Sequence, residues 1–262
     1  MLLIFIFVLG ACIGSFLNVC ICRIPAGESI VFPRSRCKCG AQIPWHLNIP
    51  LLSWLFLGGK AQCCGRGIPA RYFIVEFLTA TLFVVVFARS NSLPNFIIGS
   101  GFCSLLLAIA FIDMDTMEIY DAMSVGGMFV GFVISLLFPQ WHDEQSGISS
   151  LVKSLSGACL GSGLIFWVAV MGEMVFKKEA IGGGDVKLLG TIGAFIGWKG
   201  CLFSLFGGCL ISTLIFLPSL LIWKLIKTKT FTIPRIIPFA PVLVIGSITH
   251  VLCGRNLLEM LF

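Results

Sequence analysis

The stretch GGGDVKLLGTIGAFIGWKG, Gly182 to Gly200, sets an aspartate behind three glycines and runs on at once into a short, glycine-dotted apolar segment. Each glycine in a helix costs about 1 kcal/mol relative to alanine, so the run needs a reason. In a chain that is 58% hydrophobic and only 11% charged, with a mean hydropathy of +1.03, it also needs a place. Soluble domains carry roughly 25% charged residues. The composition is that of a membrane protein, and Asp185 then opens a span.

Working outward, a hydrocarbon layer about 30 Å thick takes roughly 20 apolar residues per helix. Runs of that kind fall near 2–22, 72–88, 95–112, 122–138, 151–172, 186–198, 201–223 and 236–253. The expectation is an all-α polytopic membrane protein of about eight transmembrane helices. The sixth run is short: it is either tilted or forms a tight hairpin with the seventh around Gly197 to Gly200. The first, Leu2 to Cys22, has no basic residue ahead of it and no small-residue cleavage pattern after it, which reads as a retained span. Two parts separate. Residues 1–71 hold the first helix and a small polar loop domain rich in Pro and Cys, and residues 72–262 hold a helical bundle with short loops.

Lys and Arg accumulate on the cytoplasmic side of membrane helices. With the first long loop inside, that side takes Arg23, Arg34, Arg36, Lys38, Lys60, Arg66, Arg71, Lys177, Lys178, Lys187, Lys224, Lys227, Lys229 and Arg235. The other side keeps only Arg89, Lys153, Lys199 and Arg255. The net charge of +6 follows from topology and from anionic headgroups, and gives no ground for a nucleic-acid partner.

By the same alternation, the loop FIDMDTMEIYDAMS faces inward with four carboxylates, Asp113, Asp115, Glu118 and Asp121, and no basic residue. One reading is a solvated hairpin. Asp113 fits it poorly, because it closes the apolar run LLLAIAFI at a helix C-terminus, where the dipole opposes negative charge. Asp185 comes to the same membrane face 72 residues later. Ionisable residues within spans are functional by default and usually paired. Two neighbouring carboxylates cannot both ionise easily, so one holds a proton while the other acts as a base, which is the equipment for setting water on an amide. Gly182, Gly183 and Gly184 would let an extended substrate strand approach the backbone; the plain alternative is a helix cap or close helix packing. Lys187 either biases the acid pair or snorkels to the headgroups. Glu76 is either a buried partner of Arg71 or part of a second site. His46, His142 and His250 are single and scattered.

The chain has 12 cysteines. Eight sit in or beside spans, where a thiol is a small hydrophobe. Cys37, Cys39, Cys63 and Cys64 cluster in the inward loop, a reducing setting in which metal binding competes with free thiols rather than with a disulfide.

GGGDVKLL is similar to the G-x-G-D motif of intramembrane aspartyl proteases, and together with IDMDTMEIYD it resembles the bacterial type IV prepilin peptidases, the leader peptidase/N-methyltransferases of type IV pilus and type II secretion systems. GACIGSFLNVCICRIP (Gly10 to Pro25), RSRC, NIPLLSWLFLGGK, ARYFIVE and IPFAPVLVIG (Ile237 to Gly246) resemble further blocks of that family in the same order. The resemblance implies Asp113 and Asp185 as the catalytic pair, with Asp115 and Asp121 as supporting or substrate-facing acids. It implies an inner-membrane enzyme whose site faces the cytoplasm, cutting a basic leader from a prepilin or pseudopilin and then methylating the new N-terminus with S-adenosylmethionine. The acidic loop would attract the leader's Lys and Arg. The resemblance leaves the S-adenosylmethionine-binding residues and the oligomeric state open.

The chain departs from the family pattern in three places. Tyr120 stands where proline is usual and Ala240 where glycine is usual, and two Cys-x-x-Cys pairs are reduced to CKC and an adjacent Cys63–Cys64. The four thiols are accordingly either a structural zinc site or unligated. Two other classes compete. A small ion-coupled transporter would use the same acids near the bilayer midplane with inverted repeats, and no repeat is visible. A thiol or metal assembly factor built on the cysteines would make both aspartates dispensable.

Overall fold

The computed structural model describes residues 1–37, 39–177, 182–226 and 238–261. Lys38, Lys178, Lys227, Lys229 and Arg235, counted above among the inward charges, and Ile237 at the head of the C-terminal block lie outside the described residues. The chain is all-α: α1 (Leu2–Arg23), α2 (Leu52–Phe56), α3 (Ala70–Arg89), α4 (Leu93–Thr116), α5 (Asp121–Leu137), α6 (Gly147–Phe176), α7 (Gly183–Ile226) and α8 (Ala240–Leu261). No strand occurs among the described residues, only isolated bridges at Arg36 with Gln42 and Lys60 with Gly67. Among the described residues, five helices, α1, α3, α4, α6 and α7, are long and apolar enough to cross a membrane.

Eight spans were expected, and the difference has two sources. The fourth and eighth expected spans correspond to shorter apolar helices, Asp121–Leu137 and Ala240–Cys253. The sixth and seventh fall together in α7, which carries one non-helical residue, Gly197, at φ 70° and ψ 178°. A straight helix would set residues 189 and 201 roughly 18 Å apart at 1.5 Å per residue. Instead the Cys201 thiol lies 3.8 Å from the Leu189 carbonyl oxygen, so α7 folds back on itself at Gly197. The hairpin is the second of the two alternatives read for this segment. A positive φ is available to glycine without a Cβ penalty, which explains the residue at the bend.

By its internal contacts the chain divides into two compact units, Met1–Ile112 and Asp113–Phe262. In the first, α1 packs on α3 through a stripe of Ile6, Gly10, Gly14, Leu17 and Ile21 at helical spacing. α1 stops before Pro25, and the Arg23 guanidinium donates to the carbonyls of Ser29 (2.8 Å) and Pro33 (2.7 Å), tying the following loop to the helix end. Asn18 Nδ2 donates to the Tyr72 carbonyl at 3.0 Å.

In the second unit, α7 is the hub, packing on α5, α6 and α8. Lipid gives apolar helices no hydrophobic reason to associate, so close backbone approach and interhelical hydrogen bonds carry the contact. Both occur at the α6–α7 crossing. A Cβ on Gly193 would lie 2.1 Å from the Gly157 carbonyl oxygen, and Ser154 Oγ donates to the Ala194 carbonyl at 2.6 Å. At the α5–α6 corner, Trp141 Nε1 donates to the Phe195 carbonyl at 2.6 Å, and His142 Nε2 sits 3.0 Å from Ser135 Oγ. Burial, and then nearby Lys153, hold His142 down to about 4, so its ring is neutral at neutral pH.

Because backbone would have to move to admit a methyl group, Gly193→Ala is expected to cost about 1–3 kcal/mol and to lower the thermal unfolding midpoint in detergent. Gly163, whose added Cβ meets nothing within 4 Å, is the control: Gly163→Ala leaves the midpoint unchanged or slightly raised.

Candidate active site and thiol cluster

α4 ends in the acidic loop. The Met117 N–H donates to the Asp113 carbonyl at 2.9 Å with Met117 at φ 58°, which stops the helix one turn past the acid. Of the four carboxylates in this loop, only Asp113 is buried, at 6% exposure; Asp115 and Asp121 lie at the surface with Glu118. Asp113 Oδ2 accepts a hydrogen bond of 3.2 Å from the N–H of Ala240. Ala240 is fully buried and opens α8, so the positive end of that helix meets the carboxylate.

Asp185 lies in the first turn of α7, its N–H bonded to the Gly182 carbonyl at 3.1 Å. It is within electrostatic range of Asp113. Two acids distant in sequence are thus neighbours, each carried on a helix end. The three glycines differ in their surroundings. A Cβ on Gly184 would come within 2.9 Å of Ile119 Cβ, so this glycine lets the start of α7 press against the acidic loop. Among the described residues, a Cβ on Gly183 would meet nothing within 4 Å, and one on Gly182 would meet only Asp185 Oδ2 at 3.7 Å. Among the described residues, packing therefore demands one glycine of the three, Gly184, while the other two meet no close neighbour besides the acid.

Lys187 pairs with Asp121: Nζ lies 2.5 Å from Oδ1, with both side chains substantially exposed. One turn further into the bundle, Thr191 Oγ1 lies 2.5 Å from the Ser124 carbonyl oxygen, within a buried joint of α5 and α7. Tyr120 Oη donates to Glu118 Oε2 at 3.2 Å. Ile119, Ser124, Thr191 and the Ala240 N–H were not legible as site residues. Ile119 acts through apolar contact, Ser124 and Ala240 through main-chain groups, and Thr191 through a hydroxyl inside an apolar run; Ala240 stood out only as a departure from glycine.

The thiols of Cys37, Cys39, Cys63 and Cys64 all lie within 4.8 Å of one another. Each pair rides on a small turn pinched by one of the isolated bridges, Arg36 with Gln42 and Lys60 with Gly67. The Cys37–Cys64 and Cys39–Cys63 sulfur separations are 3.6 and 3.4 Å. Tetrahedral coordination with Zn–S bonds of about 2.3 Å sets sulfurs about 3.8 Å apart, so the compressed spacings still converge. The Cys39 N–H, followed by the neighbouring thiols, lowers Cys37 to about 7. Hydrogen bonding with Cys37 and Cys39 pushes Cys63 up to about 12. A cluster that already favours one thiolate and resists a second is one that a soft cation would complete. Glu76 accepts the Leu51 N–H on Oε2 at 2.7 Å, a partner that sequence reasoning did not name.

The bacterial peptidase A24 N-terminal domain matches residues 8–90, and the type IV leader peptidase family matches residues 100–217. A relative from Klebsiella pneumoniae named prepilin leader peptidase/N-methyltransferase is 35% identical over 203 residues, which cover 74% of this chain and 85% of that one. The chain belongs to the type IV leader peptidase family. Proteins of the same name from Myxococcus xanthus and Aeromonas salmonicida are 42% and 30% identical, over 76% and 96% of this chain. The chain spans 57% of the length of the Myxococcus protein and 91% of the Aeromonas one. No solved structure matches. Membership in the leader peptidase family gives the transporter alternative no support.

In this family member, the exposed Asp121–Lys187 pair and the buried Thr191 joint should differ in weight. Lys187→Met is expected to change unfolding stability by less than about 1 kcal/mol. Thr191→Val, which removes a buried hydrogen bond, should cost about 1 kcal/mol or more, as read by denaturant or thermal unfolding in micelles.

Proposed function

We propose that this chain is a membrane-embedded aspartyl endopeptidase of the bacterial inner membrane. It removes the basic leader from type IV prepilins or pseudopilins at the cytoplasmic face and methylates the exposed N-terminus. The observation that carries the reading is the buried Asp113 within electrostatic range of Asp185, on two helix ends.

One carboxyl of the pair, protonated, donates to the scissile carbonyl oxygen. The other, ionised, takes a proton from water as the water oxygen attacks the carbonyl carbon. The C–N bond then breaks, and the leaving nitrogen collects a proton from the pair, which titrates as a unit. Gly182 and Gly183, bordering open space, leave room for an extended strand beside the acids. Asp115 and Asp121, both exposed, support the site electrostatically and draw in the cationic leader.

Methylation belongs to residues 1–71, which also hold the cysteines. Bound S-adenosylmethionine supplies an electrophilic methyl group, and the new N-terminal amine, once deprotonated, is its acceptor. The four thiols fit zinc, which would cross-link the two turns and shape this part of the chain.

Asp113→Asn and Asp185→Asn are each expected to lower prepilin cleavage in membranes by roughly 10²- to 10⁴-fold, read by mass spectrometry of the pilin N-terminus. Near-normal processing by either variant would remove the pair from the mechanism. For the thiols, purified protein should carry about one zinc per chain by elemental analysis. Cys64→Ser should lose the metal and reduce methyl addition more than cleavage.

A further inference from the structure

A cavity of about 880 Å³ opens in the first unit between the end of α1, the start of α3 and the cysteine-bearing loops. Its surface is more apolar than polar, yet Glu28, Glu76, Arg23, Arg34, Arg36 and Arg66 all border it, apolar walls with placed polar groups as in small-molecule sites. Its polar lining is specific. Glu76, the one acid on the α1–α3 wall, is buried. Its Oε2 holds the N–H of Leu51, a residue at φ 62° and ψ −52°, so the loop beside the acid is fixed in a positive-φ conformation that leucine rarely adopts. Asn18, 2% exposed, also lines the cavity; its Nδ2 is committed to the Tyr72 carbonyl, while its Oδ1 has no hydrogen-bond partner among the described residues. Trp54 is held at the rim by a 3.3 Å bond from Nε1 to the Ile68 carbonyl. Arg36 and Arg66 also line the cavity.

We propose that this cavity is the S-adenosylmethionine site, an inference that rests on the methyl-transfer reading above. The ligand's features each find a counterpart. A sulfonium and an ammonium, both cationic, call for a buried carboxylate and a neutral acceptor, which Glu76 and Asn18 Oδ1 provide. A carboxylate calls for guanidinium, and Arg36 and Arg66 bring two. The purine calls for an aromatic wall, which Trp54 supplies. Cys37 and Cys63 also line the cavity, so the thiol cluster forms part of its wall, which gives the cysteines a physical route to methyl transfer without contact with the methyl group itself.

The test uses the full chain in lipid nanodiscs and S-adenosylhomocysteine, which binds without turning over. Tritiated ligand measures affinity, and an azido-adenosyl analogue maps the site by peptide labelling. Glu76→Gln keeps an acceptor for the Leu51 N–H but removes the charge, and should weaken binding roughly ten- to hundredfold with an unchanged melting midpoint in the absence of ligand. Val19→Trp, which fills the cavity from α1, should abolish binding whatever the role of Glu76, and label should fall within residues 15–76. Label confined to residues 113–262, or affinity untouched by both variants, overturns the proposal. If the wild-type chain still adds a methyl group to cleaved pilin in that event, only the cavity assignment falls. If it binds no ligand and adds no methyl group, the methyl-transfer reading falls with it.

Discussion

A single hydrogen bond, from the first N–H of α8 to the carboxylate of Asp113, bears on everything the second unit does. A charge this deeply buried in a helical bundle is costly unless it is paired or hydrogen-bonded. α4 delivers the acid at its own C-terminal end, where the helix dipole is unfavourable. α8 corrects this with an N-terminal end directed at the same group. The start of α7 brings the second acid to the same place. Three helix ends therefore converge on two carboxylates, and the bundle must hold all three in register. The α6–α7 crossing, with Gly193 against Gly157, and the Thr191 joint to α5 do that holding.

The first unit solves a different problem. Its loops have little hydrophobic core of their own, and a region that small needs cross-links. Arg23 ties the loop to α1, Glu76 ties it to α3 through Leu51, and the four thiols draw the two small turns together. Order in these loops depends on polar and sulfur contacts rather than on buried apolar area. A site formed from them would therefore be sensitive to substitution of these charged and thiol groups, and less sensitive to changes along the outer surfaces of the helices.

Much of this was readable from the residues alone. Hydropathy fixed the all-α membrane class, and the conflict of Asp113 with its own helix dipole marked it out from Asp115, Glu118 and Asp121. The hairpin at Gly197 was readable as one of two alternatives, because a glycine between two apolar runs permits a reversal without requiring it. Span count was less legible: α5 and the apolar part of α8, Ala240–Cys253, are short, and apolar length is what separates a crossing helix from a buried one. Convergence of the thiols was legible only as one of two alternatives, a zinc site or free thiols. Spacings of Cys-x-Cys and Cys-Cys look unsuitable for one ion until two separate turns are seen to contribute two sulfurs each. Main-chain donors such as the Ala240 N–H leave no mark on a side-chain pattern.

The reversal at Gly197 also sets a depth. From Asp185 to Ile196 the first arm of α7 rises about 17 Å at 1.5 Å per residue, barely more than half of a hydrocarbon layer about 30 Å thick. Trp198 and Lys199, stacked at 5.7 Å just beyond the bend, are residues suited to a headgroup layer. With the bend anchored there, the arm runs out well before the far leaflet's surface. An acid at that depth lies below the near surface, so either lipid thins above it or a water-filled shaft descends to it.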